Sequence, residues 1–252
     1  MTVALNERPH DALRGLSLLG LIVVWQILAM VLASPVLPTP LEVVASGWEH
    51  LTDGGLLYHL GLTLMRVAVA FALAMAIGTA VGMLMGSNRK WDAALDGILV
   101  LGLNIPALVT IILCYIWFGL TEVAAIVAVA VNKIPTVIVT VREGARAIDR
   151  RLMEVASVYR LSRRDTLTKV YLPQLYPYLV AAGRNGLALI WKIVLVVELL
   201  GRSDGVGFQL NTFFQFFDIR GILAYTLAFA AVILVVEAAL VRPLERRLSR
   251  WR

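Results

Sequence analysis

The sequence predicts an all-α integral membrane protein with six transmembrane helices, both termini cytoplasmic, and short cytoplasmic helices between helices four and five. Three observations carry this. Of 252 residues, 60% are apolar and 16% are charged, against roughly 45–50% and roughly 25% in soluble domains, and mean hydropathy is +0.81. Six stretches approach the about 20 mostly apolar residues that a hydrocarbon core of about 30 Å requires of a helix. Basic residues are one-sided: 17 of the 23 Lys and Arg fall in connections that six spans place on one side, and only Arg202 and Arg220 on the other. Cytoplasmic loops carry such an excess. Topology therefore accounts for the net charge of +6, and no nucleic-acid partner is expected. Cys114 is the only cysteine, which excludes an intramolecular disulfide. The chain reads as one domain, 1–252.

The first span, 13–33, is longer than the about 7–15 apolar residues of a signal peptide and follows acidic Glu7 and Asp11, so it reads as a retained helix. An outer connection, 34–59, holds Pro35, Pro38 and Pro40 and no Lys or Arg. The second span, 60–85, leads into a small-residue stripe, Gly78, Gly82 and Gly86, which suits close helix packing in lipid. The third, 95–118, is interrupted by Asn104 and Pro106; the proline removes a backbone donor, so a kink or break is expected. Spans 123–141, 178–200 and 221–241 complete the layout.

Two lysines lie inside spans. Lys133 sits about nine residues from the cytoplasmic end of span four, roughly 14 Å deep, and Lys192 about eight residues from the outer end of span five, roughly 12 Å deep. A charge at such depth costs roughly 2.5–3.5 kcal/mol on insertion scales, and an intramembrane ionisable residue is a functional hypothesis by default. Lys133 with Asn132, and Lys192 with Trp191 and Glu198, are the candidate pathway residues, the lysines attracting an anion. The alternatives are an ion pair of either lysine with Glu198 or Glu237, or a lysine held neutral by burial. Lys192 and Glu198 are six apart and cannot pair within one helix. Arg184, Trp191 and Glu198 step by sevens along one face.

No catalytic residue is assigned. Gly201-Arg-Ser203-Asp-Gly205 matches G-x-S-x-G by letter, but a nucleophile elbow needs a preceding strand and a histidine later in the chain. His10, His50 and His59 all precede it. The segment reads as a tight outer loop facing a partner. No metal-ligand spacing and no P-loop are present in the sequence.

The one sizeable cytoplasmic segment is 142–177. Leu152, Val155, Ala156 and Tyr159 repeat at helical spacing, Ser162 and Asp165 form a cap for a second helix, and Pro173 stops the pattern. Two short helices with a bend make a knob suited to docking in a partner's groove. The spacing Glu154-x-Ala156-x13-Val170-x-Leu172-Pro173 resembles the EAA motif of ATP-binding-cassette (ABC) importer permeases. Leu37-Pro-Thr-Pro40, Thr63-Leu-Met-Arg66, Trp117-Phe-Gly-Leu120, Trp191 and Glu198 are similar to the type I branch that imports sulfonates, taurine, nitrate and bicarbonate.

That resemblance implies a multi-pass protein of the bacterial inner membrane. A second permease subunit, in a homodimer, would complete the pathway, and a periplasmic or extracellular solute-binding protein would deliver the cargo. A cytoplasmic ABC ATPase dimer would hold ATP and Mg, leaving this chain without a cofactor, and lipid would surround the spans. It also implies that Glu154, Val155, Ala156, Tyr159, Arg160, Leu161, Leu172 and Pro173 meet the ATPase. The motif's glycine is replaced by Arg160, so the bend is either made differently or carries a charged contact. The cargo reads as a sulfonate, taurine, nitrate or carboxylate, with a neutral or cationic solute such as a thiamine precursor as an alternative within the family. An ion-coupled secondary transporter or channel is the alternative outside it; such a transporter would usually show an internal repeat and would not need the knob.

Overall fold

A computed structural model of the chain describes residues 8–53, 55–241 and 243. All its elements are helical. They are α1 (Arg8–Leu32), α2 (Pro40–Thr52), α3 (Gly55–Ser87), α4 (Arg89–Asn104), α5 (Ala107–Phe118), α6 (Glu122–Arg146), α7 (Arg150–Val158), α8 (Arg163–Gly201), α9 (Val206–Gln215) and α10 (Ile219–Val236). α10 continues as a π-helical turn, Glu237–Val241.

Four helices, α3, α6, α8 and α10, are long and apolar enough to cross a membrane, and the bent pair α4–α5 makes up to five. They carry expected spans two, four, five, six and three. The first expected span falls in α1, where Leu19–Leu32 is the apolar stretch among the residues whose side chains are described. The basic run at 242–252 that supports the expected topology lies, Pro243 apart, outside the described residues.

The break in the third span follows from Pro106. Ile105, which precedes it, is extended at ψ 124°, as a pre-proline residue must be, and the two half-helices meet at 99°. Asn104 caps the first half by donating to the Val100 carbonyl at 2.7 Å.

α3 and α6 form the centre of the bundle. The glycine stripe of α3 lies directly on α6: a Cβ at Gly78 would come within 2.6 Å of Val137 Cβ, one at Gly82 within 2.8 Å of Val141 Cβ, and one at Gly86 would meet Ala145. Lipid offers no hydrophobic drive for helix association, so such close backbone approach supplies the dispersion energy. α8 packs on the same pair, with Val137, Val141, Leu175 and Ala182 buried at one end and Ile190, Val194 and Val197 at the other. α5 joins α8 where the Tyr115 hydroxyl donates to the Val197 carbonyl at 2.8 Å.

Two short helices lie in the expected outer connections. α2 begins with a capping box, in which Thr39 Oγ1 accepts from the Glu42 amide at 3.3 Å and Glu42 Oε2 accepts from the Thr39 amide at 2.8 Å. Pro40 occupies its first turn, where no donor is needed. Arg220 then ties Glu42 to α10 at 3.1 Å.

One expectation is corrected. The second cytoplasmic helix does not stop at Pro173 but runs on through it to Gly201 as α8. The stretch Thr166–Tyr171 is π-helical, with the Leu172 amide donating five residues back to Leu167. Regular α-helix resumes at Leu172, so the missing N–H of Pro173 falls in its first turn and breaks no bond.

The glycine stripe yields a same-helix comparison. Gly82→Leu should lower stability in detergent by about 1–3 kcal/mol through overpacking. Gly61→Ala, where a Cβ meets nothing within 4 Å, should be neutral or stabilising because alanine favours helix by up to about 1 kcal/mol. Equal melting temperatures for the two variants would contradict the packing described.

Candidate functional site

The functional side chains fall in three places. At one end of the bundle, Arg66 of α3 is 1% exposed and Glu198 of α8 is fully buried. Arg66 holds Glu122 of α6 through two bonds, Nε–Oε1 at 2.7 Å and Nη2–Oε2 at 3.0 Å. Its Nη1 donates to Glu198 Oε1 at 2.7 Å and to the Asp204 carbonyl at 3.0 Å, and its Nη2 also bonds the Asp204 carboxylate. Glu198 Oε2 accepts from the Thr63 hydroxyl at 2.9 Å and the Gly207 amide at 2.8 Å. Arg202 adds a second cation, 2.7 Å from Glu122.

One guanidinium thus joins three helices and the loop after α8. The loop needs its glycines: Gly205 has φ +102°, and a Cβ there would strike the Glu198 carboxylate. A Cβ at Gly207 would strike the Leu195 carbonyl. His59 comes to this loop, but its Nδ1 accepts from the Gly205 amide at 2.9 Å and its Nε2 lies 2.7 Å from Gln209 Nε2. Both ring nitrogens are therefore engaged away from Ser203, and the segment joins two helices rather than a strand to a helix.

Midway along the spans, the expected pathway residues separate. Lys133 of α6 is 3% exposed. It lies against α8, where a Cβ at Gly186 would be 3.0 Å from Lys133 Cε and 3.9 Å from its Nζ. Asn132, the preceding residue, is partly buried. Trp191 and Lys192 of α8 line a different space, a cavity of about 440 Å³ shared with Arg184, Leu187, Phe229 and Glu237. Trp191 is buried with its ring edge-on to Phe229 at 5.8 Å, while Lys192 is exposed. Glu198 belongs to the Arg66 cluster and pairs with neither lysine.

At the opposite end, Asp149 caps α7 by accepting from the Arg151 amide at 2.8 Å, and its own amide donates to Gln174 of α8 at 2.9 Å. Ala156 is buried, whereas Glu154, Leu152, Val155 and Tyr159 are exposed. The apolar stripe of α7 therefore points only partly inward, and its outer part is an apolar patch without cover from this chain. α7 ends in a Schellman motif: the Leu161 amide donates to Ala156 O at 3.0 Å and the Arg160 amide to Ser157 O at 2.9 Å. Arg160 stands at the left-handed position with φ +50°. The bend expected of a glycine is thus made by an arginine, at a cost of roughly 1–2 kcal/mol. Leu161 is exposed on the rim of a groove of about 400 Å³ between α7 and the start of α8. Leu172 is half-buried and Pro173 exposed.

Sequence reasoning leaves out Arg66 and its partners Glu122, Asp204 and Arg202. The available signal is an arginine inside one span and a glutamate inside another, which in lipid have strong reason to find each other.

A family model described as "Binding-protein-dependent transport system inner membrane component" matches residues 73–250. The putative aliphatic sulfonates transport permease protein of Bacillus subtilis (strain 168) is 32% identical over 250 residues, 98% of this chain and 90% of that protein. The nitrate import permease protein of Synechococcus elongatus (strain ATCC 33912 / PCC 7942 / FACHB-805) is 27% identical over 195 residues, 73% and 70% of the two chains. A solved chain of the MetNI methionine ABC transporter, in an inward-facing conformation, superposes with TM-score 0.65 at 20% identity, covering 75% of this chain and 94% of that one. The last likeness is one of fold.

Two stability changes follow from the geometry. Arg66→Met should cost about 3–5 kcal/mol by leaving the buried Glu198 carboxylate uncompensated, seen as a collapse in folded yield from detergent. Arg160→Gly should raise stability by about 1 kcal/mol by relieving the left-handed residue. A lower melting temperature in the glycine variant would contradict the assigned bend.

Proposed function

Because this chain belongs to the family of inner membrane components of binding-protein-dependent transport systems, we propose that it forms the translocation pathway of an ATP-driven importer for a small oxyanion. It is a transport subunit of an ABC importer rather than an enzyme. Its complete topology in this reading has six crossings, with α1 as the first, the bent α4–α5 pair as the third, and both termini in the cytoplasm. The Lys/Arg asymmetry supports that orientation.

The observation that carries the reading is the construction of α7. It exposes Val155 and Tyr159 beside Glu154 while being fastened to α8 through Asp149, Gln174 and buried Ala156. A helix that is rigid on one side and apolar on the other is a docking element. A cytoplasmic ATPase dimer gripping two such knobs, one from each of two copies of this chain, would move α8 as a rigid body when it closes on ATP. A solute-binding protein would deliver the cargo at the outer face. The cargo class rests on the relatives named for aliphatic sulfonates and for nitrate, both monovalent oxyanions. The cavity holding Trp191, Lys192 and Arg184 is a candidate part of the path.

Proteoliposomes test this. They would contain the chain with its co-purified ATPase, the binding protein outside, ATP inside, and labelled methanesulfonate or nitrate as probe. Uptake should require ATP. Glu154→Lys and Ala156→Asp should each reduce it about tenfold or more while the protein still inserts, a coupling loss within the usual 1–3 kcal/mol range. Import driven by an ion gradient without ATP, or wild-type uptake and wild-type substrate-stimulated ATP hydrolysis in both variants, would overturn the reading.

A further inference from the structure

The polar and charged side chains buried among the described residues are Thr63, Arg66, Lys133 and Glu198. Three of them bond to one another. Lys133 is different: among the described residues no hydrogen bond or ion pair reaches its ammonium. The fold therefore answers its buried charges with partners at one end of the bundle and leaves one unanswered midway along α6. A buried charge kept without a partner is costly and marks a binding role by default.

Gly186 and Phe71 beside it hold no acidic side chain that could answer the charge. Gly186 of α8 has no side chain, which is what lets the lysine lie against that helix, and the ring of Phe71 from α3 closes the space 3.5 Å from the same point. These neighbours offer no carboxylate. Lys192, the other intramembrane lysine, is exposed and has no comparable enclosure.

We propose that Lys133, bounded by Gly186 and Phe71, is the intramembrane binding site for the transported monovalent oxyanion. The inference rests on the importer reading above and deepens it. A sulfonate or nitrate shares what the site asks for: one negative charge spread over acceptor oxygens, small enough to sit between two helices. α8, which supplies Gly186, is the same helix that begins beside the cytoplasmic knob. A displacement of α8 relative to α6 would uncover the ammonium, and its return would close the site.

The test is Lys133→Met in the full reconstituted assembly, with labelled methanesulfonate and nitrate as probes. ATP-driven uptake should fall about tenfold or more, as when one partner of a buried charge pair is removed. Binding-protein-stimulated ATP hydrolysis should persist. The melting temperature in detergent should be unchanged or raised by about 2–4 °C, because an uncompensated buried charge is gone. Undiminished uptake would overturn the inference and leave the importer reading standing. Lost uptake with a lowered melting temperature, or with lost ATP hydrolysis, would also overturn it, by making the lysine a structural or coupling residue. Absence of ATP-dependent uptake in the unsubstituted protein would instead sink the importer reading, and the inference with it.

Discussion

A charge in an apolar interior must be answered there, and one half of this protein is organised by one such answer. Arg66 has no water to turn to, so it gathers Glu122, Glu198 and Asp204 from three other segments. Each carboxylate brings its own element into place: α6, α8 and the loop that leads to α9. The loop then requires glycine at 205 and 207, because the Glu198 carboxylate and the backbone of α8 occupy the space that side chains would need. Buried ion pairs of this kind contribute less to net stability than their Coulomb energy implies, since desolvation offsets it. Their consequence is specificity of arrangement, because a register that separates Arg66 from its acids strands several charges at once.

α8 links that cluster to the end of the bundle that carries α7. It runs for 39 residues from Arg163 to Gly201, close to 60 Å at about 1.5 Å per residue. It begins beside α7, carries Gly186 and Lys192 further along, and brings Glu198 to the Arg66 cluster in its last turn. The π-helical turn near its start ends just before Pro173, and the helix stays continuous past it. In the proposed mechanism, a push on α7 would be delivered along this one continuous helix. The left-handed Arg160 holds the bend that sets α7 across the end of α8, and the cost of an arginine there is borne by the two hydrogen bonds of the Schellman motif.

Much of this was legible in the sequence. The apolar periods of α3, α6, α8 and α10 are long enough to read directly, and Pro106 announces the break between α4 and α5. The glycine stripe points to close packing, although only the structure identifies Val137, Val141 and Ala145 as what it packs on. The knob is legible from Leu152, Val155 and the Ser162 cap. What the sequence conceals is long-range or context-dependent. Arg66 finds partners 56 to 138 residues away, beyond any local pattern. Pro173 reads as a stop because the π-helical register that accommodates it has no plain sequence mark. α2 is not anticipated within the 34–59 connection, although Thr39-x-x-Glu42 there has the capping-box pattern that the structure shows in use. Lys133 and Lys192 look alike as letters, and only packing distinguishes the enclosed one from the exposed one.

The central claim is mechanical: α7 is gripped from the cytoplasm and α8 carries the motion inward. Site-directed crosslinking in native membranes measures this most directly. A cysteine at Val155 or Tyr159, with Cys114 replaced by serine, should form a crosslink to a nucleotide-binding partner subunit, and its yield should change when ATP is added. A cysteine there that reacts freely with a membrane-impermeant reagent from the outer side, or that crosslinks to no such subunit in either nucleotide state, would contradict the account.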